Sequence, residues 1–501
     1  MNTPALKSTE PSAPIAPDAP AQTLAVPAEP SPSPLAAGAQ GATAAEAIAC
    51  ALAAPERTAE EAAAHPLILV VHASVGSGHR SAANAIAEAL EEAGEAARAA
   101  GDDNSLEARS EVRVLDILDF GRIVFDGDKT ASMFTGWTRP FYDLTWRYTL
   151  TGRLLWGGGT IWARLMYPKF TEYVRRLRPA AIVATHITAA NVAVSARMIT
   201  GQSFPIVCVP TDYEAEGLWP HLHTDLFCVA NESMAETLRP RRVPEDRILI
   251  TGIPASPAFS RTYDRTKARE AFGLPQDKQV VLALAGAKLP QPYVHFRAAI
   301  GEMLPFMHAM PSMQLVIVAG ADEDYERELR RQVAEYGLAN VTVLGYVNAM
   351  AELMEAADVV ICKPGGLTVT ECLCAHAPMI LLGRAYGQEK ANVRMLTAAG
   401  AAMAATTPRE LLDTLRHISD HSASAHAMLM NASILRRPNA AEDIAGHLRL
   451  IRASPGDARC RKHPHFTGEK PATSAKGADG VSRRHGTRFV HYALIGPEVD
   501  R

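Results

Sequence analysis

The sequence contains no long apolar run: nowhere in its 501 residues do roughly 18 apolar residues follow one another, so no membrane-spanning helix is expected. Its N-terminus, MNTPALKSTEPSAP, lacks the apolar centre of a signal peptide. Aromatic residues are scarce at 6%, with only five tryptophans, so any clustering of them is informative. Excess charge is missing too, because a formal net charge of −4 excludes a globally basic nucleic-acid binder, although a local basic patch remains open. The seven cysteines (Cys50, Cys208, Cys228, Cys362, Cys372, Cys374 and Cys460) include no CxxC pair, and several sit in apolar runs such as FPIVCVP and DLFCVA. They read as reduced, buried thiols of a cytosolic protein. What the chain does have is a 48% hydrophobic composition, enough for two cores.

Composition changes divide the chain. Residues 1–64 are rich in Ala and Pro and free of aromatics, and they are expected to be disordered, with 43–64 able to turn helical. From His65 the character changes to LILVVHAS, Gly76-Ser77-Gly78 and AANAIAEALEEA: strand, Gly-rich loop, helix. EVRVLDILDF, AAIVATH, FPIVCVP and DLFCVA continue as short buried strands, and a second series follows with QVVLALAGA, QLVIVAG, NVTVLGYV, DVVICKPGG and APMILLG. Short apolar runs alternating with helical patterns predict two doubly wound α/β domains, 65–255 and 256–452, with a flexible polar tail over 453–501. Ligands are then expected at the carboxyl ends of the strands and in the cleft between the domains.

The strongest site signal is Cys362-Lys363-Pro364-Gly365-Gly366-Leu367-Thr368-Val369-Thr370-Glu371, followed by Gly387-Gln388-Glu389-Lys390-Ala391-Asn392. A buried strand running into a Pro-Gly-Gly turn lets backbone N–H groups approach a diphosphate at the start of the next helix. Glu371, in that helix, is suited to accept hydrogen bonds from ribose hydroxyls. Gln388 and Glu389 follow the next strand, on the same sheet edge, where they can read sugar hydroxyls.

KPGGLTVTE followed by GQEKAN resembles the donor site of glycosyltransferase family 28, in the branch of monogalactosyldiacylglycerol synthases and processive diacylglycerol glucosyltransferases. The resemblance covers roughly residues 66–452 and implies a GT-B fold. It assigns the UDP-sugar to Gly365, Gly366, Thr368, Glu371, Gln388, Glu389 and Asn392. Ser74-Val75-Gly76-Ser77-Gly78-His79 resembles the family's Gly-rich loop ending in histidine, which makes His79 the candidate base for an acceptor hydroxyl, an imidazole being poised near neutral pH. Ser77 stands where the family usually has glycine, and Glu216 where it has histidine, three residues after the aromatic of Thr211-Asp212-Tyr213. Asp212 is the second catalytic candidate. Gly286-Ala287-Lys288 keeps one glycine of another family loop; Lys288 is either a phosphate contact or a solvated lysine. Thr251-Gly252-Ile253-Pro254 matches the domain junction.

Four of the five tryptophans (Trp137, Trp146, Trp156 and Trp162) lie between Met133 and Arg178, among eight Lys/Arg and two acidic residues. Aromatics interleaved with cations suit a segment lying on an anionic membrane, while an aromatic core with an Arg-rich face is the competing reading. Asp322-Glu323-Asp324 opens a helical pattern and reads as a cap, so no metal is expected. The resemblance implies an inverting transfer of galactose or glucose from a UDP-sugar to diacylglycerol or a similar lipid, at the cytoplasmic face of a membrane and with no other cofactor. Two alternatives are N-acetylglucosaminyl transfer to a polyprenyl-diphosphate peptidoglycan precursor and a non-catalytic protein that binds nucleotide-sugar or lipid.

Overall fold

The computed structural model describes residues 44–75, 77–122, 161–214, 219–286, 294–383, 385, 389–420 and 422–453. Lys288, Gln388, Glu216, Trp137, Trp146 and Trp156 lie outside the described residues, as do 1–43 and 454–501.

Twelve strands among these residues form two sheets in which every pair is parallel. The first sheet holds β1 (Leu67–His72), β2 (Glu111–Asp116), β3 (Ala181–Ala184), β4 (Ile206–Cys208), β5 (Leu226–Val229) and β6 (Ile248–Ile250) in the order β2-β1-β3-β4-β5-β6. The second holds β7 (Gln279–Leu284), β8 (Met313–Val318), β9 (Val341–Leu344), β10 (Val359–Cys362), β11 (Met379–Leu382) and β12 (Ala402–Ala405) in the order β12-β11-β10-β7-β8-β9. All six residues of β1 and of β8 are buried, as expected of runs covered on both faces. The order reverses between β1 and β3 in one sheet and between β7 and β10 in the other. At such a reversal the flanking connections run to opposite faces and leave a crevice at the strand ends.

The helices used below are α1 (Ala44–Ala53), α2 (Ser77–Ala99), α3 (Pro168–Leu177), α4 (Ile187–Thr200), α5 (Glu323–Glu335), α6 (Gly366–Cys374), α7 (Glu389–Ala398) and α8 (Ala440–Ala453). Both sheets belong to one compact unit. The sequence reading gives 256–452 to one domain, but the chain sends α8 back to the first sheet, where Ile444 and Leu448 share a core with Val70, Ile86 and Val183. Ala441 and Ala445 meet Ala85 and Ala89 of α2, small side chains that let the two helices come close. At the junction, Gly252 has φ +93°, and a Cβ there would stand 2.4 Å from Arg437 Cβ, so the glycine of the TGIP motif is required by backbone and packing alike.

The expectation of disorder through residue 64 does not hold for 44–64. This stretch includes α1 and packs on α3, with Ile48 buried, Arg57 Nη1 donating to the Leu177 carbonyl (3.3 Å) and Arg176 Nη1 to the Ala54 carbonyl (2.8 Å). Glu56 pairs with Arg178 (2.9 Å) and Arg175. An Ala-rich stretch too weak to order by itself becomes helical when a neighbouring surface buries one face.

Candidate functional site

The two crevices are furnished by the loops that the strands feed. At the β1/β3 reversal, the first turn of α2 carries His79, and β3 ends in Thr185 and His186. At the β7/β10 reversal, β10 ends in Cys362 and leads through Lys363 and Pro364 into α6. The two sides touch. A Cβ on Gly78 would lie 3.7 Å from Leu367 Cβ, so the N-terminal turns of α2 and α6 face each other.

His79 is half-buried, and its tautomer follows from its contacts. Nδ1 lies 3.0 Å from the Thr185 carbonyl oxygen and 2.9 Å from Thr211 Oγ1. A carbonyl only accepts, so Nδ1 carries the proton and Nε2 holds the free lone pair. Among the described residues Nε2 is neither hydrogen-bonded nor buried. Burial pulls the imidazole pKa down to about 4, with the Thr185 bond opposing and His72 assisting. The expectation of a group poised near neutrality is corrected: the ring stays neutral throughout the physiological range because its cationic form would be poorly solvated.

On the opposite side, Gly365 is the N-cap of α6 without a side-chain cap, so its first turn presents unsatisfied N–H groups. Gly366 is fixed by the other half of the molecule: a Cβ there would stand 2.0 Å from the Thr211 carbonyl oxygen and 3.1 Å from Asp212 Oδ1. Lys363 and Glu389 flank Gly365, with Lys363 Nζ and Glu389 Oε1 each 3.9 Å from the position a Cβ would take there. Thr368 is half-buried in the first turn of α6.

Glu371 is one turn further along. Its carboxyl makes no hydrogen bond among the described residues, and burial alone pushes its pKa up to about 7. A desolvated carboxyl with unused acceptor oxygens is suited to a ligand that brings its own donors.

Asn392 is placed differently from the other donor-site candidates. It is fully buried; Nδ2 donates to the Pro364 carbonyl (3.0 Å) and to Asp212 Oδ1 (3.4 Å), while Oδ1 accepts from Tyr213 N–H (3.2 Å). Its amide therefore ties the Pro-Gly-Gly turn to the 211–213 loop. Thr370 Oγ1 donates to the Gly366 carbonyl (2.8 Å) and accepts from the Tyr213 hydroxyl (3.0 Å), adding a second tie. The motifs that contain Thr211, Tyr213 and Thr370 are legible in the sequence, but the contacts of these residues and of Thr185 are not, because each acts through a partner more than a hundred residues away.

Residues 79–255 match the sequence profile of monogalactosyldiacylglycerol (MGDG) synthase, and residues 292–444 match that of the glycosyltransferase family 28 C-terminal domain. Over these two stretches the chain is similar to MGDG synthases and to the family 28 glycosyltransferases. Among its relatives, a processive diacylglycerol β-glucosyltransferase of Staphylococcus carnosus (strain TM300) is 33% identical over 225 residues, 45% of this chain and 56% of that protein. One from Bacillus licheniformis is 28% identical over 284 residues, 57% of this chain and 72% of that protein. The chain thus spans little more than half the length of the Staphylococcus relative. In fold, it is similar to UDP-GlcNAc 2-epimerase from Neisseria meningitidis bound to UDP-GlcNAc, with a TM-score of 0.50 and 12% identity over 76% of this chain and 99% of the other. Two facing Rossmann-like halves make a GT-B architecture.

The aromatic stretch divides between core and surface. Tyr167, Phe170 and Tyr173 are buried, and Arg175 and Arg176 pair with Glu172 (both 2.6 Å), so much of its C-terminal part is structural. Residues 161–166 are helical and leave Ile161, Trp162 and Leu165 exposed at 64%, 41% and 58%. Of these, Ile161 lines a surface recess together with Arg164 and with Met198 and Ile199 of α4, both of which are exposed as well. No helix among the described residues is long and apolar enough to cross a membrane. Asp322 caps α5, accepting from Tyr325 N–H (3.1 Å) and pairing with Arg297 (2.9 Å), which gives the acidic triplet a structural use.

Proposed function

We propose that this chain transfers a hexose from a UDP-sugar to a hydroxyl of diacylglycerol or a similar lipid. The observation that carries the reading is the facing pair of crevices: a neutral imidazole with an open Nε2 on one side, and an uncapped helix turn with an unpartnered carboxyl on the other. The first turn of α6 receives the diphosphate, whose charge its N–H groups and the helix dipole stabilise. Thr368 and Lys363 add polar contacts, and Glu371 takes the ribose hydroxyls. Gly365 and Gly366 leave the turn open to the diphosphate, Glu389 borders the hexose, and Asn392 with Asp212 positions the turn; the family resemblance alone assigns Gln388 to the hexose and Lys288 to phosphate. His79 Nε2 accepts the proton of the lipid hydroxyl as its oxygen attacks the anomeric carbon, and UDP departs with the bonding electron pair. The names of the relatives support diacylglycerol as the acceptor class.

Such an acceptor is met at a membrane surface. The exposed Ile161, Met198 and Ile199 around Arg164 support peripheral contact with an anionic bilayer, as do exposed Trp162 and Leu165, the composition around Trp137, Trp146 and Trp156 and the relatives' lipid acceptor. Incubating the full chain with UDP-glucose or UDP-galactose and vesicles containing diacylglycerol tests the reading. UDP release together with a new glycolipid on thin-layer chromatography is expected. UDP-sugar binding with no product from either donor would overturn it in favour of a binding protein.

A further inference from the structure

We propose that His186 is a second functional imidazole, a fixed hydrogen-bond donor that positions the acceptor hydroxyl against His79. The inference rests on the reading of His79 as the base. His186 is the N-cap residue of α4, at the carboxyl end of β3, and its Nδ1 accepts from Thr188 N–H at 3.1 Å. A ring nitrogen that accepts from a backbone amide carries no proton, so the neutral ring bears its hydrogen on Nε2. Neutrality is enforced by surroundings: burial first, then His79 and His72, hold the His186 pKa well below its ordinary value. No described residue accepts from this Nε2–H, and the atom is not buried.

The two rings stand edge to face, with centroids 4.6 Å apart and an interplanar angle of 80°. Their protonation patterns are opposite. His79 keeps its proton on Nδ1, against Thr185, and offers a lone pair at Nε2; His186 keeps its lone pair on Nδ1, against Thr188, and offers N–H at Nε2. One acceptor and one donor side by side match the two faces of an alcohol. The hydroxyl proton points to His79, and one oxygen lone pair accepts from His186. The other lone pair is left to form the bond to the anomeric carbon as the bond to the diphosphate oxygen breaks. The proton ends on His79 and the electron pair on UDP. Two rings locked by backbone contacts hold the oxygen in one orientation, which lowers the entropic part of the barrier. A protein that only bound nucleotide-sugars would have no need of this pair.

Two substitutions separate the donor from the cap. His186→Asn keeps an oxygen where Nδ1 stands and so still caps Thr188, but it withdraws the N–H at the Nε2 position; His186→Gln carries an amide N–H out to that position. His186→Asn is expected to bind UDP normally and to lose turnover by on the order of 10- to 100-fold, the effect of one well-placed donor. His186→Gln should regain part of that loss. In a His79→Ala background, His186→Asn should cost less than about threefold more, since the two rings act on one oxygen. Near-normal turnover in His186→Asn beside a large loss in His79→Ala would overturn the role of His186 and leave the base intact. Near-normal turnover in His79→Ala would remove the base and this proposal with it. Equal losses in the Asn and Gln variants, or weakened UDP binding in His186→Asn, would also overturn the donor assignment.

Discussion

At the scale of single residues, the site depends on side chains whose ionisation the fold has altered. Replacing His79 by Ala should lower turnover by about 10²–10⁴-fold with UDP affinity unchanged, read by steady-state kinetics beside calorimetry. Because burial holds the ring pKa near 4, the acid limb of the rate profile should lie well below the 6.5 of a free imidazole. Glu371 shifts the opposite way, to about 7. Ribose hydroxyls donate to an ionised carboxylate, so UDP binding should weaken as pH falls through 7 and should release a proton at pH 6.5. Calorimetry in buffers of different ionisation enthalpy measures that proton, and Glu371→Gln should abolish it. If Glu371→Gln releases the same proton, the carboxyl is not the ribose contact.

At the scale of elements, function depends on two helix N-termini brought face to face. The first turn of α6 is pressed onto the 211–213 loop, and Gly366 permits the approach. Gly366→Ala places a methyl 2.0 Å from the Thr211 carbonyl and must push the turn away. It should lower both UDP affinity and turnover; wild-type values for both would show that the contact yields freely. Away from the site, α8 lies against α2 through alanines. Ala441 is fully buried there, so Ala441→Leu should destabilise the fold by about 1–3 kcal/mol through overpacking, measured by denaturant unfolding.

At the scale of the whole molecule, the three histidines at the carboxyl edge of the first sheet make stability depend on pH. Burial lowers the pKa of His72, His79 and His186 below the 6.5 of a free imidazole. The unfolded chain therefore binds protons that the folded chain refuses, and stability is lost as pH falls from about 6.5 toward 4. Thermal unfolding across that range should show the decline, and it should be shallower in His186→Asn. Unchanged slopes would mean that water reaches these rings more freely than their burial implies. The same edge carries the candidate base, so two of the three acid-sensitive rings, His79 and His186, are those proposed to act on the acceptor hydroxyl.

Sequence alone determined the strand–helix alternation, the two α/β halves, and the Pro-Gly-Gly and Gly-Ser-Gly-His turns. All of these are local: apolar runs of strand length, helical spacing, and glycines where a backbone must pass close. Placing Glu371 one turn into a helix also needed only the spacing. The sequence could not show that Asn392 would spend its amide on Pro364, Asp212 and Tyr213, or that Gly366 answers to the Thr211 carbonyl. Nor could it show that Arg175 and Arg178 would pair with Glu56, or that 44–64 would order. Each depends on a partner far away in the chain, and composition does not say which distant groups will meet. The tautomers and the lowered pKa of His79 and His186 belong to the same class. Burial and neighbouring carbonyl and amide groups decide them, and those exist only once the two sheets have closed around the cleft.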